Sequence, residues 1–265
     1  MSILAKIINH KRLLIAESKE LKPVKLLEKS IFFHSQPVSL KAYIRREDKV
    51  GIIAEIKRKS PSAGIINDKI DVEKLSIAYM QSGASALSVL TDTQFFGGKN
   101  EDLEIARKFN YAPILRKDFI IDEYQVIVTK SIGADCILLI AACLTPEQCQ
   151  NLAAFAKTLE LEVLLEVRTK EEIDSHLNEH IDLIGVNNRN LNDFKTDIVN
   201  SKNLFEYLPK ELVKISESGI TKGSQIAALK EIGYDGFLIG GHFMKYDEPA
   251  RVCKNLIDDY KSLIQ

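Results

Sequence analysis

An α/β fold, a (β/α)8 barrel of the TIM type with an N-terminal helical extension, is predicted by three features of this 265-residue chain. Apolar, β-rich runs recur eight times, amphipathic stretches separate them, and polar residues gather where the runs end. Alternating strand and helix implies a parallel sheet. Eight such units in about 215 residues suit a closed barrel better than a doubly wound sheet.

Residues 1–49 come first and read as helical. Ile3, Ile7, Leu14 and Leu21 lie close to helical spacing, and Leu26, Leu27 and Ile31 continue it. Pro23 and Pro37 break the segment, so two or three surface helices packed on the main body are expected. From residue 50 the expected strands are 50–56, 86–90, 112–116, 135–140, 162–167, 182–187, 212–216 and 236–240. The expected helices are 71–83, 101–109, 121–132, 146–160, 169–179, 198–208, 222–232 and 247–262. Gly83, Gly133 and Gly233 each stand where a helix should stop before the next strand. No composition shift or low-complexity linker interrupts the series. The expected organisation is one domain over 1–265, with 1–49 as extension and 50–265 as barrel.

The chain is 45% hydrophobic and 28% charged, which is ordinary globular composition. A formal net charge of -1 and a pI of about 6.5 supply no global basic field for nucleic acid or anionic membrane. No stretch approaches the roughly 20 apolar residues of a membrane span, and residues 1–20 lack a signal peptide's uninterrupted apolar core. Cys136, Cys143, Cys149 and Cys253 form no C-x-x-C pair and have no histidine at ligand spacing. That argues against a disulfide framework or a zinc site and for a reducing, cytoplasmic location; Cys136 reads as a core residue.

The stretch 50–62 begins as a buried strand, then places Glu55 and Lys57 two residues apart, on one face. Burying such a pair is costly unless both groups are partnered or meet solvent at a pocket. A structural ion pair at a strand end is the competing reading. Ser60-Pro61-Ser62 reads as the turn that ends the strand. The later strands end in similar decoration: Thr91-Asp92, Arg116-Lys117-Asp118, Glu166, Asn187-Asn188-Arg189, Ser216-Glu217-Ser218 and Gly240-Gly241-His242. In a barrel these ends share one mouth, where active sites sit. Packing accident does not account for so many decorated ends at once.

Three constellations follow. Ser218-Gly219 after strand 7 and Gly240-Gly241 after strand 8 suit a phosphate, because glycine lets backbone N–H groups approach an anion. Glu55, Lys57, Lys117 and Glu166 form an acid–base set whose members push each other's pKa values apart. A lysine among other cations is expected to serve as an acid near neutral pH, and Glu55 and Glu166 across the mouth are expected to keep Lys117 charged, an acid rather than a nucleophile. Glu166, between Leu165 and Val167, is expected to be raised enough to act as base or shuttle. Phe95, Phe96 and Phe119, with Leu138 and Leu191, suggest an aryl-bearing ligand, although Phe95 fits loop packing under the N-terminal helices equally well. His242 reads as a loop or helix-start residue.

The segments EIKRKSPS (55–62), LRKDF (115–119), LLEV (164–167), IGVNNRNL (184–191), SESGI (216–220) and FLIGG (237–241) resemble indole-3-glycerol phosphate synthase of tryptophan biosynthesis. The resemblance spans nearly the whole chain, extension included, without a fused phosphoribosylanthranilate isomerase domain. It implies conversion of 1-(2-carboxyphenylamino)-1-deoxyribulose 5-phosphate to indole-3-glycerol phosphate, with loss of carbon dioxide and water. It implies no metal, no organic cofactor and no obligatory protein partner. By motif, Lys117 matches the general acid and Glu166 the residue that stabilises the cationic intermediate and acts in dehydration. Lys57 matches a lysine near the substrate carboxylate, and Glu55 the glutamate that orients these groups. Asn187, Arg189 and Ser218 match polar anchors. Ser60, Gly219, Gly240 and Gly241 match the phosphate cradle, and Phe96, Phe119, Leu138 and Leu191 the walls around the ring. One departure is Gly241-His242, where many members carry a hydroxyl or acidic residue after the first glycine. A Schiff-base aldolase and a catalytically silent phosphate-binding barrel remain the alternatives, since a barrel lysine can also be a nucleophile and fold does not give function.

Overall fold

The computed structural model describes residues 2–189 and 196–264. Eight parallel strands close into a barrel: Ile52–Ile56, Ala86–Leu90, Ile114–Lys117, Cys136–Ile140, Glu162–Val167, Leu183–Asn187, Val213–Glu217 and Gly236–Ile239. They match the eight expected runs to within two residues at either end. They are numbered first to eighth below. Helices cover the outside, among them Val72–Gln81, Asn100–Phe109, Glu123–Ser131, Pro146–Thr158, Gly223–Ile232 and Pro249–Leu263.

The strands read as unbroken apolar runs because both faces are buried. Ile52, Leu87, Val163, Leu165 and Val186 face the helices, while Ile53, Leu115, Leu138, Leu164 and Ile215 fill the interior. Register then fixes what stands at the mouth. Leu90 pairs with Lys117, Ile140 with Glu166, and Asn187 with Glu217.

The extension departs from the expected surface helices. The helix Ile3–Leu21, capped by Ser2, crosses the mouth, and Ile3, Leu4 and Ile7 line the cavity there. The short helix Leu40–Ile44 plugs the opposite end, and Leu40 and Ile44, 0% and 1% exposed, belong to the barrel interior. A barrel's lower opening needs apolar side chains from somewhere, and this turn of helix supplies them. A second difference lies at 59–65. The expected turn is a two-residue hairpin, Lys59–Ser60 against Gly64–Ile65, which folds over the mouth. The 198–208 helix also splits, into Val199–Leu204 and a tighter turn at Phe205–Tyr207. Cys136 is fully buried, and all four cysteines are free thiols. Among the described residues no helix is long and apolar enough to cross a membrane.

Candidate active site

A cavity of about 700 Å3 opens at the C-terminal ends of the strands. Lys117, the last residue of the third strand, shares the inward parity of Leu115. Its Nζ lies 2.9 Å from Glu166 Oε2 and 2.6 Å from Glu217 Oε2, on the fifth and seventh strands. Arg116, of opposite parity, turns outward and bonds the Gln125 carbonyl, Thr129 and Thr91, so it does not crowd the lysine. On the first strand Lys57 Nζ lies 2.5 Å from Glu55 Oε1.

The electrostatics follow the sequence expectation at Lys117 and depart from it at Glu166. Burial would lower the Lys117 ammonium's pKa, but Glu166, Glu217 and Glu55 outweigh it and hold the group charged. Lys117 is therefore a lysine among carboxylates, with Glu217 joining the expected Glu55 and Glu166. Burial would raise Glu166, yet Lys117 and the Asn187 amide, 2.9 Å from Oε1, outweigh that and lower it. Leu165 and Val167, its neighbours in sequence, face the outer core and do not set its environment. The raised carboxyl is Glu217. Burial, with Glu166 and Glu55 nearby, pushes it up to about 7 despite Lys117, and among the described residues its Oε1 accepts no hydrogen bond.

Glu217 is a buried carboxyl of the mouth to which the sequence reading assigned no role. Two signals point to it: the inward parity of Val213, Ile215 and Glu217, and Gly185 opposite, where a Cβ would stand 2.2 Å from Glu217 Oε1. Likewise a Cβ at Gly240 would lie 2.1 Å from Glu55 Oε1, so that glycine makes room for a carboxylate. Gly241 meets nothing within 4 Å on its open side and faces the cavity. Ser218 and Gly219 both adopt left-handed backbone, φ 69° and 80°, which turns the chain past the seventh strand. Consecutive residues in such turns can present N–H groups to an anion.

The remaining sequence candidates, Phe95 and Leu191 apart, also line this cavity. Phe96 and Phe119 stand with ring centroids 5.9 Å apart at 39°, above Leu138. Asn187 Oδ1 accepts from the Arg189 amide at 2.9 Å, and Arg189 Nη1 approaches Ser62 Oγ at 3.5 Å. Ser60 Oγ accepts from the Ala63 amide at 3.2 Å, inside the hairpin. Leu191 lies outside the described residues. Phe95 does not line the cavity and packs edge-on to His10 of the N-terminal helix. His242 lies in the short helix Gly241–Met244, where burial and Lys245 lower its imidazole pKa and keep it neutral at pH 7. Among the described residues no His, Cys, Asp and Glu cluster has the makings of a metal site.

Residues 4–256 match the family model described as indole-3-glycerol phosphate synthase. The protein named indole-3-glycerol phosphate synthase of Bacteroides thetaiotaomicron is 45% identical over 255 residues, covering 96% of this chain and 97% of its own. That of Legionella pneumophila strain Paris is 39% identical over 261 residues, covering 97% and 99%. Among solved structures, a mutant tryptophan synthase alpha-subunit from the hyperthermophile Pyrococcus furiosus superposes with a TM-score of 0.61 at 11% identity, over 81% of this chain and 99% of that one. The 3-hexulose-6-phosphate synthase of Salmonella typhimurium gives 0.60 at 12% identity, over 79% and 99%. These two likenesses concern the fold alone.

Proposed function

The chain belongs to the indole-3-glycerol phosphate synthase family, carboxy-lyases of tryptophan biosynthesis, and from that premise we propose how this barrel mouth carries out the reaction. The observation that carries the proposal is the Lys117 ammonium, held between Glu166 and Glu217 on the cavity floor beside the Phe96–Phe119 slot.

The substrate is a small sugar phosphate, anionic at both ends. Its phosphate sits on the backbone of Ser218–Gly219 and Gly240–Gly241, with Ser60 and Lys245 alongside. Its aryl ring packs against the wall made by the Phe96–Phe119 pair and Leu138, and its carboxylate turns toward Lys57 and Arg189. Holding a flexible chain folded in this way can lower the barrier by about 7–11 kcal/mol.

The aryl carbon bearing the carboxylate then bonds to the ketone carbon. The carbonyl electron pair moves to oxygen, which takes a proton from Lys117. A positioned donor of this kind typically contributes about 10²–10⁴-fold. Carbon dioxide leaves with its bonding pair left on the ring, which restores aromaticity. The new hydroxyl then departs as water while a proton is lost from the adjacent carbon. Glu166, kept ionised, is the base for that proton. Glu217, near neutrality in its titration, supplies and recovers protons through Lys117. Glu55 orients Lys57, and Asn187 holds Glu166.

The charged state of Lys117 disfavours the Schiff-base alternative, since a nucleophilic amine must be neutral. No metal, organic cofactor or protein partner enters the scheme. We place the reaction in the cytoplasm, as the thiols suggest, and treat extension and barrel as one working unit. The test is an absorbance or fluorescence assay for indole formation from the carboxyphenylamino sugar phosphate. The indole chromophore of indole-3-glycerol phosphate appearing with release of carbon dioxide supports the reading, and its absence with purified folded protein overturns it.

A further inference from the structure

A buried cluster behind the aryl slot has no part in the scheme above. Lys11, on the inner face of the helix Ile3–Leu21, is 5% exposed. Its Nζ lies 2.6 Å from Asp118 Oδ1 and 3.0 Å from Asp92 Oδ2. Those aspartates follow the third and second strands, are 3% and 0% exposed, and come from neighbouring corners of the mouth. Each also grips the segment that carries one wall of the slot. Asp92 Oδ1 accepts from the Phe95 amide at 2.7 Å and caps the short helix Thr93–Phe96. Asp118 Oδ1 accepts from the Phe119 amide at 2.8 Å.

The two carboxylates differ in their other partners. Asp118 also receives Arg116 and Thr91, and although burial would raise it, Lys11 and Arg116 hold it well below the usual carboxylate range. Asp92 has no cation but Lys11 among the described residues. The far half of the same helix is anchored separately, by Tyr124 OH donating to the Ser18 and Lys22 carbonyls and by Lys19 with Asp122. Lys11 is therefore the buried tether of the near half, which carries Ile3, Leu4 and Ile7 into the cavity.

We infer that Lys11 is a positioning residue: one ammonium joins the N-terminal helix to the segments bearing Phe96 and Phe119 and so sets the aryl slot. The inference rests on the placement of the substrate ring against those two phenylalanines. Lys117 does not depend on Lys11, because its ammonium is held from across the barrel by Glu166 and Glu217. Wall contacts are made in ground and transition states alike, so their loss appears mainly in KM.

The test uses K11M, K11R and the double variant K11M/D92N in the full chain, with steady-state kinetics, thermal melts and amide hydrogen exchange. K11M is expected to raise KM about ten-fold or more with kcat within about three-fold, and to speed exchange at residues 3–11 and at the Phe95 amide. K11R should recover most of the KM. In K11M/D92N the asparagine keeps the capping oxygen and removes the stranded charge, so the melting temperature should recover while KM stays high. Recovery of KM together with stability would reduce Lys11 to a charge neutraliser and overturn the inference. So would a K11M variant with wild-type KM and exchange. Absence of indole formation by the wild type would instead defeat the reading of the mouth, and the exchange data would still report on the tether.

Discussion

The two ends of the barrel bury the same kind of group to opposite effect. At the lower end Asp135, Glu162 and Asp182 stand at the starts of the fourth, fifth and sixth strands. Backbone N–H groups answer all three: Val38 and Ile114 at Asp135, Lys41 at Glu162, Val163 at Asp182. Arg107, Ser39, Lys41 and Lys157 complete them. At the mouth Glu55, Glu166 and Glu217 stand at strand ends and, among the described residues, answer only to side chains, chiefly Lys57, Lys117 and Asn187. A carboxylate met by main-chain donors is fixed in place and clips two segments together. One met by movable side chains, with an oxygen left open, can exchange protons with a ligand.

The contrast is sharpest at Lys117. K117A should lower turnover by at least about 100-fold, measured as indole formation, while the folded protein still binds substrate. A residual rate above about a tenth of wild type would remove the general-acid role. At the lower end the equivalent loss falls on stability. L40A should cost about 2–5 kcal/mol in urea unfolding and leave KM within about two-fold. A large KM change there would break the division between the two ends.

Glu217 allows the division to be tested by pH. Its folded value, about 7, lies above the ordinary 4.5. Between those values the folded protein keeps a proton that the unfolded chain has released, so this group's contribution to stability falls as pH rises through that window. Asp135, pushed up to about 6 by burial, acts in the same direction over a narrower range. E217Q should flatten the decline in part and should remove an ionisation near 7 from the kcat/KM profile. An unchanged profile would place the titrating group elsewhere.

The smallest effect is expected at Gly241. Its open side meets no atom, so G241A should leave the urea midpoint nearly unchanged. The added methyl group would stand where the phosphate approaches. KM should rise several-fold, and inorganic phosphate, competitive against substrate in the wild type, should bind more weakly.

The mouth is far more legible in the sequence than the lower end. Glu55, Lys57, Lys117 and Glu166 interrupt apolar runs, and an interruption inside a run is visible without a structure. Glu217 is harder to see because it sits between two serines beside a glycine, in what reads as a polar turn; only parity counted from Val213 turns it inward. The direction at Glu166 runs against the expectation because its neighbours along the chain, Leu165 and Val167, are not its surroundings, whereas Lys117 and Asn187 act on it from other strands. The plug at Leu40–Ile44 has only five residues. That is too short for a period to show, and nothing local says that those two apolar side chains enter a barrel.

The plug also has a consequence for the order of assembly. Ser39 meets Glu162, and Lys41 meets Asp182, across 123 and 141 positions of chain. During synthesis the extension leaves the ribosome before the barrel, while the strand starts that it clips are still unmade. Contacts spanning so much chain form late, because the loop entropy must be met before they can form. Until the sixth strand appears, Leu40 and Ile44 have no cavity to enter, and the unfinished barrel stands open to water at its base. This segment, made before every strand of the barrel, is among the last to find its place.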